Sequence, residues 1–404
     1  MARTDWHRPR CGPSVEHWTR RRVQEARTRM SVRTVLVVGG GFTGLTVAIA
    51  LAQRGVQVTL VDRVGAWARV GHGLTIQGNA LRVFEQIGVI DEVLAVGQAE
   101  NAVTLTRADG VVISRLETPR TGGDHLPATI GALRPDLHDI LVRKAVSLGV
   151  VIRLGLELQE FTNHGDSASS VLSDGTTETW DVIVIAEGIK SRTRPKLGIT
   201  EDRAPSGLGI WRAVTSRLPE MTGGIAFPLA DDGGAYKVGY TPVSHDQCYI
   251  FVLCRPQRVD NGLEGWQEVQ RLMANFHGDY DYLRDSIGPD TFLNFQEIEW
   301  IFVEGPWHSG RVVALGEVVH AVPPLIAQGA AQCLEDAALF AEYVTQAGDW
   351  EALLAEFYAR RIPRLKGVVE ASLQLAYWEQ NPGTPDADPA RVMADALAAL
   401  VPAP

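Results

Sequence analysis

The chain has 404 residues, 45% of them hydrophobic and 21% charged, with a formal net charge of −10. That length accommodates two or three domains with large cores, and the acidic balance argues against a nucleic-acid or anionic-membrane partner, both of which call for clustered Lys and Arg. Cys11, Cys248, Cys254 and Cys333 stand far apart without a CxxC pair, so neither a metal site nor a disulfide framework is expected, and reduced thiols in a cytoplasmic protein are.

Residues 1–30 read as a leader, either disordered or upstream of a working start at Met30. The first 29 carry eight arginines against three acids and contain no apolar run suited to a secretion signal. No later run approaches the roughly 20 apolar residues of a membrane span.

Val35–Val38 is fully apolar and β-branched, as a buried parallel strand requires. Gly39, Gly41 and Gly44 follow in G-x-G-x-x-G spacing, then an Ala-rich helix over Leu45–Arg54, and a second strand, Val56–Val61, ending at Asp62. The first glycine permits the turn, the second lets backbone approach a pyrophosphate, and the third lets helix and strand pack closely. Free amides over Gly41, Phe42, Thr43 and Gly44, with the positive end of the helix dipole, face that phosphate. Asp62 is placed to hold a ribose hydroxyl, with Arg63 beside it.

Further along, Gly71–Ala80 is a glycine-rich loop containing His72, and Leu81–Ile87 is a short amphipathic helix. Residues 101–117 alternate around Asp109-Gly110 as a hairpin. Leu133–Gly149 reads as a helix with Asp136 as its N-cap, and Val150–Leu154 as a strand. Residues 156–172 and 177–185 read as further strands. From 207 to 303 longer β segments (Leu208–Thr215, Gly234–Thr241, Tyr249–Leu253) surround one helix, Leu263–Phe276, and aromatic residues gather. Arg311–Leu315 is again a buried strand, followed by a helix over Cys333–Val344 and a long helix over Trp350–Trp378 interrupted by Pro363. A loop and a short helix complete the chain.

Two later segments repeat one pattern. In VIVIAEGIKSRTR and in GRVVALGEVVHAVPPLIAQGAAQCLEDA a buried strand ends at an acid beside a glycine, Glu187-Gly188 and Gly316-Glu317. Such strand ends can hold ribose or ribityl hydroxyls. The second feeds a helix N-terminus near Gly329, Ala330 and Ala331, whose amides can face an electron-rich carbonyl.

These three ordered motifs, with the helix RRIPRLKGVVEASLQLA, resemble the single-component FAD-dependent aromatic hydroxylases of the para-hydroxybenzoate hydroxylase class. The resemblance implies an α/β fold: a Rossmann-like FAD-binding domain of the GR2 type (31–75, 100–205 and 304–345), an inserted β-sheet substrate domain (76–99 and 206–303), a C-terminal helix (346–380) and a tail (381–404). It implies FAD as cofactor and NADH or NADPH as transient co-substrate. O2 is activated as a flavin C4a-hydroperoxide and one atom passes to a phenolic or heteroaromatic molecule. It also implies a monomer or homodimer with no metal.

By the same resemblance Arg134 contacts the cofactor, Glu187 and Gly188 meet FAD and the passing nicotinamide, and Glu317 holds the ribityl chain. Pro323 and Pro324 wall the pocket, and the amides of Ala330 and Ala331 meet the flavin N1–C2=O edge. Arg212 faces substrate, Tyr240 is a second pocket candidate, His72 reaches toward the flavin, and His320 is structural. Several positions depart from the family pattern. Glu187 and Glu317 replace aspartates, and PPLIAQGAA replaces PPNLGQGAN, with Ala327 for glycine and Ala331 for asparagine. These changes keep two alternatives open: an oxidase, epoxidase or reductase on the same fold, and a flavin-binding homologue without catalysis.

Overall fold

The structure, a computed structural model, describes residues 32–68, 71–229, 234–256 and 262–404, so the leader expected over residues 1–30 lies outside it. Strand β1 (Thr34–Val38) is followed by helix α1 (Phe42–Gln53) and β2 (Gln57–Asp62). Next come β3 (Gly73–Gln77), α2 (Gly78–Gln86), α3 (Ile90–Val96), β4 (Gln98–Glu100), the hairpin β5 (Ala102–Arg107) and β6 (Val112–Glu117), and β7 (Thr129–Leu133). Helix α4 (Arg134–Ser147) leads to β8 (Val151–Leu154), β9 (Leu158–Asn163), β10 (Ala168–Leu172), β11 (Thr177–Trp180) and β12 (Val182–Ile185). The middle of the chain forms β13 (Ala204–Ser216), β14 (Gly224–Phe227), β15 (Lys237–Pro242), β16 (Gln247–Cys254), α5 (Gly265–Leu272), α6 (Asp279–Asp285) and β17 (Leu293–Phe302). The remainder is β18 (His308–Ser309), β19 (Val312–Ala314), β20 (His320–Ala321), α7 (Gly329–Val344), α8 (Trp350–Gln380) and α9 (Pro389–Ala398).

The first sheet has the order β18-β19-β12-β1-β2-β8. Its central strands are parallel, with β1 between β2 and β12 (Val37 opposite Leu60 and Val184). Both faces are covered, which is why β1 and β12 read as unbroken apolar runs. The three motif segments end β1, β12 and β19, neighbours in this sheet though far apart in sequence. All three therefore deliver their loops to one sheet edge, where open α/β sheets bind ligands.

The second large sheet has eight strands in the order β20-β17-β13-β16-β15-β14-β5-β6. One face packs on α5 and α6 through Trp211, Ala213, Tyr240, Ile250 and Val252. The other packs Ile210 and Leu253 against Leu325, Ile326 and residues of α8. Two segments sit differently from the expected division. The 101–117 hairpin joins this sheet, β5 pairing in parallel with β14 (Thr104 opposite Gly224), a partner more than a hundred residues away. Residues 76–99 pack into the core of the dinucleotide-binding unit, where Leu81 and Phe84 are fully buried.

Three local expectations are corrected. Asp136 is not the cap of α4; Leu133 is, and Pro135 takes an early helical position where its missing N–H costs nothing. The strand expected over 156–172 breaks into β9 and β10. Helix α8 runs through Pro363 without interruption, its 31 residues held by buried contacts on both sides of the proline.

Candidate active site

At the phosphate end, Gly39 adopts φ +109°, and a Cβ there would lie 2.4 Å from the carbonyl oxygen of Ala186. A Cβ on Gly44 would lie 1.8 Å from Gly39 O, so helix and strand pack as closely as the spacing demands. Gly41 differs, because a Cβ there would meet nothing within 4 Å. It is the N-cap of α1, no side chain caps the helix, and no acid occupies its first turn. The amides beginning at Phe42 and Thr43 are thus left for an anion.

Asp62 accepts from the backbone N–H of Gly40 at 2.6 Å and from that of Val64 at 3.0 Å. It ties down the glycine turn while keeping acceptor capacity for a ribose. Arg63 beside it is exposed. Two residues that the sequence reading passed over complete this end. His138 Nε2 donates to Gly40 O at 2.8 Å, and Trp67 meets the His138 ring edge-on at 4.9 Å. The available signal was His138 standing one helical turn after Arg134, which places both on one face. The Arg134 guanidinium is exposed and lies 5.7 Å from the centroid of Phe42.

At the flavin end the two acid-glycine motifs converge but their acids behave differently. The Glu187 carboxylate turns back on its own loop, accepting from Ser191 Oγ (2.6 Å), Thr193 N (3.1 Å) and Thr193 Oγ1 (3.0 Å). Glu317 is exposed between buried neighbours, and its Oε2 lies 3.8 Å from where a Cβ on Gly188 would stand. Among the described residues its carboxylate has no hydrogen-bond partner.

The loop after β20 begins with Pro323, which is buried, and Pro324, which is exposed at the start of a 3-10 turn. Ala327 then takes φ +52°, the left-handed region, before α7 begins at Gly329 with no acid in its first turn. Ala330 and Ala331 supply the next amides of that turn.

Beneath these loops lies a buried ionic network. Asp336 accepts from Gly316 N at 3.1 Å, from His320 Nε2 at 2.5 Å and from Arg361 Nε at 2.7 Å. His320 is therefore a structural link. Arg361 also donates to Glu335 (2.9 Å) and Gln332 (2.8 Å), and Gln332 donates to Gln328, the residue before α7. Burial alone would raise both carboxyls, but the facing cations hold Glu335 and Asp336 below the usual carboxylate range.

The substrate side follows from strand alternation. Because Trp211 and Ala213 face α5 and α6, Arg212 and its β16 neighbour Phe251 face the opposite way, as does Tyr249. The glycine-rich strand β3 lies on that face: a Cβ on Gly73 would be 2.3 Å from Tyr249 Cβ. His72 stacks on Tyr249 at 5.8 Å, and Arg212, half-buried, bonds to the Tyr249 phenol and to Gln296 Oε1 at 3.2 Å. Both partners are neutral. Tyr240 is excluded from this pocket, because it lies on the α5–α6 face with its hydroxyl donating to Asp279 at 2.5 Å.

An uncapped glycine turn, an open cradle at Gly41, an unpartnered carboxylate at Glu317 and a second uncapped helix start together fit FAD. Its pyrophosphate would rest on α1, its ribityl chain at Glu317 and its N1–C2=O edge at α7. Residues 33–372 match the family described as FAD binding domain. The chain belongs to that family.

Its relatives are flavoprotein monooxygenases. The chain is 30% identical over 348 residues to YetM of Bacillus subtilis, covering 85% of this chain and 93% of YetM. It is 27% identical over 352 residues to the aurachin C monooxygenase/isomerase of Stigmatella aurantiaca (86% and 90% covered). It is 28% identical over 356 residues to the 2-heptyl-3-hydroxy-4(1H)-quinolone synthase of Pseudomonas aeruginosa (86% and 90% covered). Among solved structures, Klebsiella pneumoniae HpxO with FAD and uric acid superposes with a TM-score of 0.77 at 19% identity, covering 91% and 97%. A tetrameric 2-methyl-3-hydroxypyridine-5-carboxylic acid oxygenase gives 0.73 at 22% identity, covering 91% and 96%. The expected fold class, FAD cofactor and monooxygenase activity with NAD(P)H all hold. No helix among the described residues is long and apolar enough to cross a membrane.

Proposed function

We propose that this monooxygenase hydroxylates a planar heteroaromatic or phenolic molecule carrying a ring carbonyl or hydroxyl, of the quinolone type. The supporting observation is Arg212, a half-buried guanidinium whose partners Gln296 and Tyr249 are both neutral. A cation held that way favours an electron-rich or anionic oxygen on the ligand. Tyr249 and Phe251, their ring centroids 6.2 Å apart and their planes inclined at 40°, give this face an aromatic lining suited to a planar ring. The quinolone assignment draws on two relatives, which are named for a quinolone and an aurachin.

When bound and reduced by NADH or NADPH, FAD would activate O2, one atom of which passes to the substrate while the other leaves as water. The protein's part is to bind and orient. Arg212 holds the substrate oxygen, and stabilising negative charge there enriches the ring carbons in electrons. The aromatic wall and Pro324 limit water. Glu317, Arg134 and the starts of α1 and α7 hold the cofactor. The protein acts in the cytoplasm as a monomer or homodimer, which size-exclusion chromatography tests.

FAD-loaded protein given NADH or NADPH with a panel of phenols, pyridines and quinolones should consume nicotinamide faster with substrate and yield a product heavier by one oxygen. Arg212→Ala should raise KM for the active compound far more than it changes FAD content. Stimulated nicotinamide oxidation without an oxygenated product would favour an oxidase or reductase instead.

A further inference from the structure

His72 has features that a structural residue does not need. Its Nδ1 lies 2.9 Å from its neighbour's carbonyl, Gly73 O. A carbonyl can only accept, so Nδ1 carries a proton, and in the neutral ring Nε2 is then left as a lone pair. Nε2 has no hydrogen-bond partner among the described residues. Position is fixed as firmly as tautomer. Arg134 N donates to His72 O at 3.1 Å, Gly73 is pressed against Tyr249, and the imidazole stacks on the Tyr249 ring with an interplanar angle of 29°.

The charged and titratable groups facing the ring are Arg212 from β13, Arg134 from α4 and the Tyr249 phenol from β16. None is an acid. Burial first, then the two arginines, push His72 down to about 4, while the Gly73 carbonyl opposes them. Burial and the two facing arginines thus favour the neutral imidazole and make it a weak base. Its chemistry is acceptance of a hydrogen bond.

We propose that His72 is a specificity-determining residue that accepts a hydrogen bond from a ring N–H or O–H of the substrate while Arg212 donates to the substrate's carbonyl or oxyanion. The pair would read an acceptor and a donor on one planar ring, the pattern of a vinylogous amide such as a 4-quinolone. A ring with the oxygen but no donor would leave the Nε2 lone pair desolvated and unpaired. This inference rests on the functional reading above and narrows it.

The test uses FAD-loaded protein with 4-quinolone and N-methyl-4-quinolone, binding being read from the change in flavin absorbance. Wild type should bind 4-quinolone roughly tenfold more tightly than the N-methyl compound, the size expected of one hydrogen bond whose loss strands a buried acceptor. That preference should stay flat between about pH 6 and 9, since the imidazole does not titrate there. His72→Phe should erase the preference by weakening 4-quinolone alone, with FAD content and melting temperature retained. His72→Gln, which keeps an acceptor, should recover part of it.

An unchanged preference in His72→Phe overturns the proposal, as does equal binding of the two probes by wild type or a preference that titrates near 6.5. Failure of wild type to bind either probe overturns this inference and the quinolone assignment together. Substrate-stimulated oxygenation of another aromatic in that case leaves the monooxygenase reading standing.

Discussion

The two glutamates that replace the family's aspartates are not equivalent. Glu187 spends its carboxylate on three bonds inside its own loop, whereas Glu317 stands exposed with no hydrogen-bond partner among the described residues. The extra methylene thus has a use at one position, where it reaches around the loop, and leaves reach in hand at the other. Glu317→Gln should weaken FAD binding about tenfold or more, the scale of a hydrogen bond to a charged group, without moving the melting temperature of the FAD-free protein. Glu187→Gln should lower that melting temperature first. Flavin fluorescence titration and a thermal scan separate the two. Ala327 is a second residue-scale case. Its left-handed φ of +52° costs about 1–2 kcal/mol for a residue with a Cβ, against roughly 0.5–1 kcal/mol of added chain entropy for glycine. Ala327→Gly should therefore stabilise the protein by about 0.5–1 kcal/mol, read as a higher denaturant midpoint at unchanged slope.

Helices α7 and α8 show how an element far from the flavin governs it. Arg361, fully buried on α8, reaches Gly316 through Asp336 and Gln328 through Gln332, so one guanidinium braces both the second acid-glycine turn and the start of α7. Removing it leaves the buried pair short of a shared cation, with Arg364 remaining on Glu335 and His320 on Asp336. Arg361→Met should cost about 3–5 kcal/mol, measured by urea unfolding, with FAD released at lower denaturant than in wild type. The same network explains why Pro363 does not break α8: Arg361 and Arg364 pin the turn on either side through Glu335. The sequence marks a proline as a helix breaker and carries no sign of that compensation. Strand β17 was missed for a related reason. Its alternation of Glu297 and Glu299 with Ile298 and Trp300 is a strand pattern that the sequence reading passed over, and pairing with β13 gives it a place in the sheet. Helix α6, only seven residues long after Gly278, offered too short a period to detect.

Across the whole molecule, the FAD-binding family and its motifs were legible in the sequence, and the facing of the substrate-side residues was not. The cofactor motifs are local: each is a strand, a turn and a helix start, written in consecutive residues. The facing of Arg212 and Tyr240 depends on which side of the eight-stranded sheet meets α5 and α6, and adjacent strands can be assigned only with partners in hand. Hence Arg212 lies on the sheet face that meets β3 and Tyr240 on the face that meets α5 and α6, although both were reasonable candidates. The stability of the whole fold carries one pH signature from its core. With Glu335 and Asp336 held below their ordinary values when folded, the unfolded chain binds more protons in acid, so stability is fully present above about pH 5 and declines as pH falls through about 4. Urea midpoints of the FAD-free protein between pH 3 and 7 should show that decline, and Arg361→Met should flatten it.

The position of Arg361 has a consequence for how the protein is made. A ribosome that has released the chain through Ala331 has already delivered the residues proposed to face the pyrophosphate, ribityl chain and flavin edge. The brace that sets Gly316 and Gln328 is still to come, because α8 has not emerged. Cofactor loading should therefore await α8, and a fragment ending before it should bind FAD more weakly than the full chain although it carries the proposed flavin contacts.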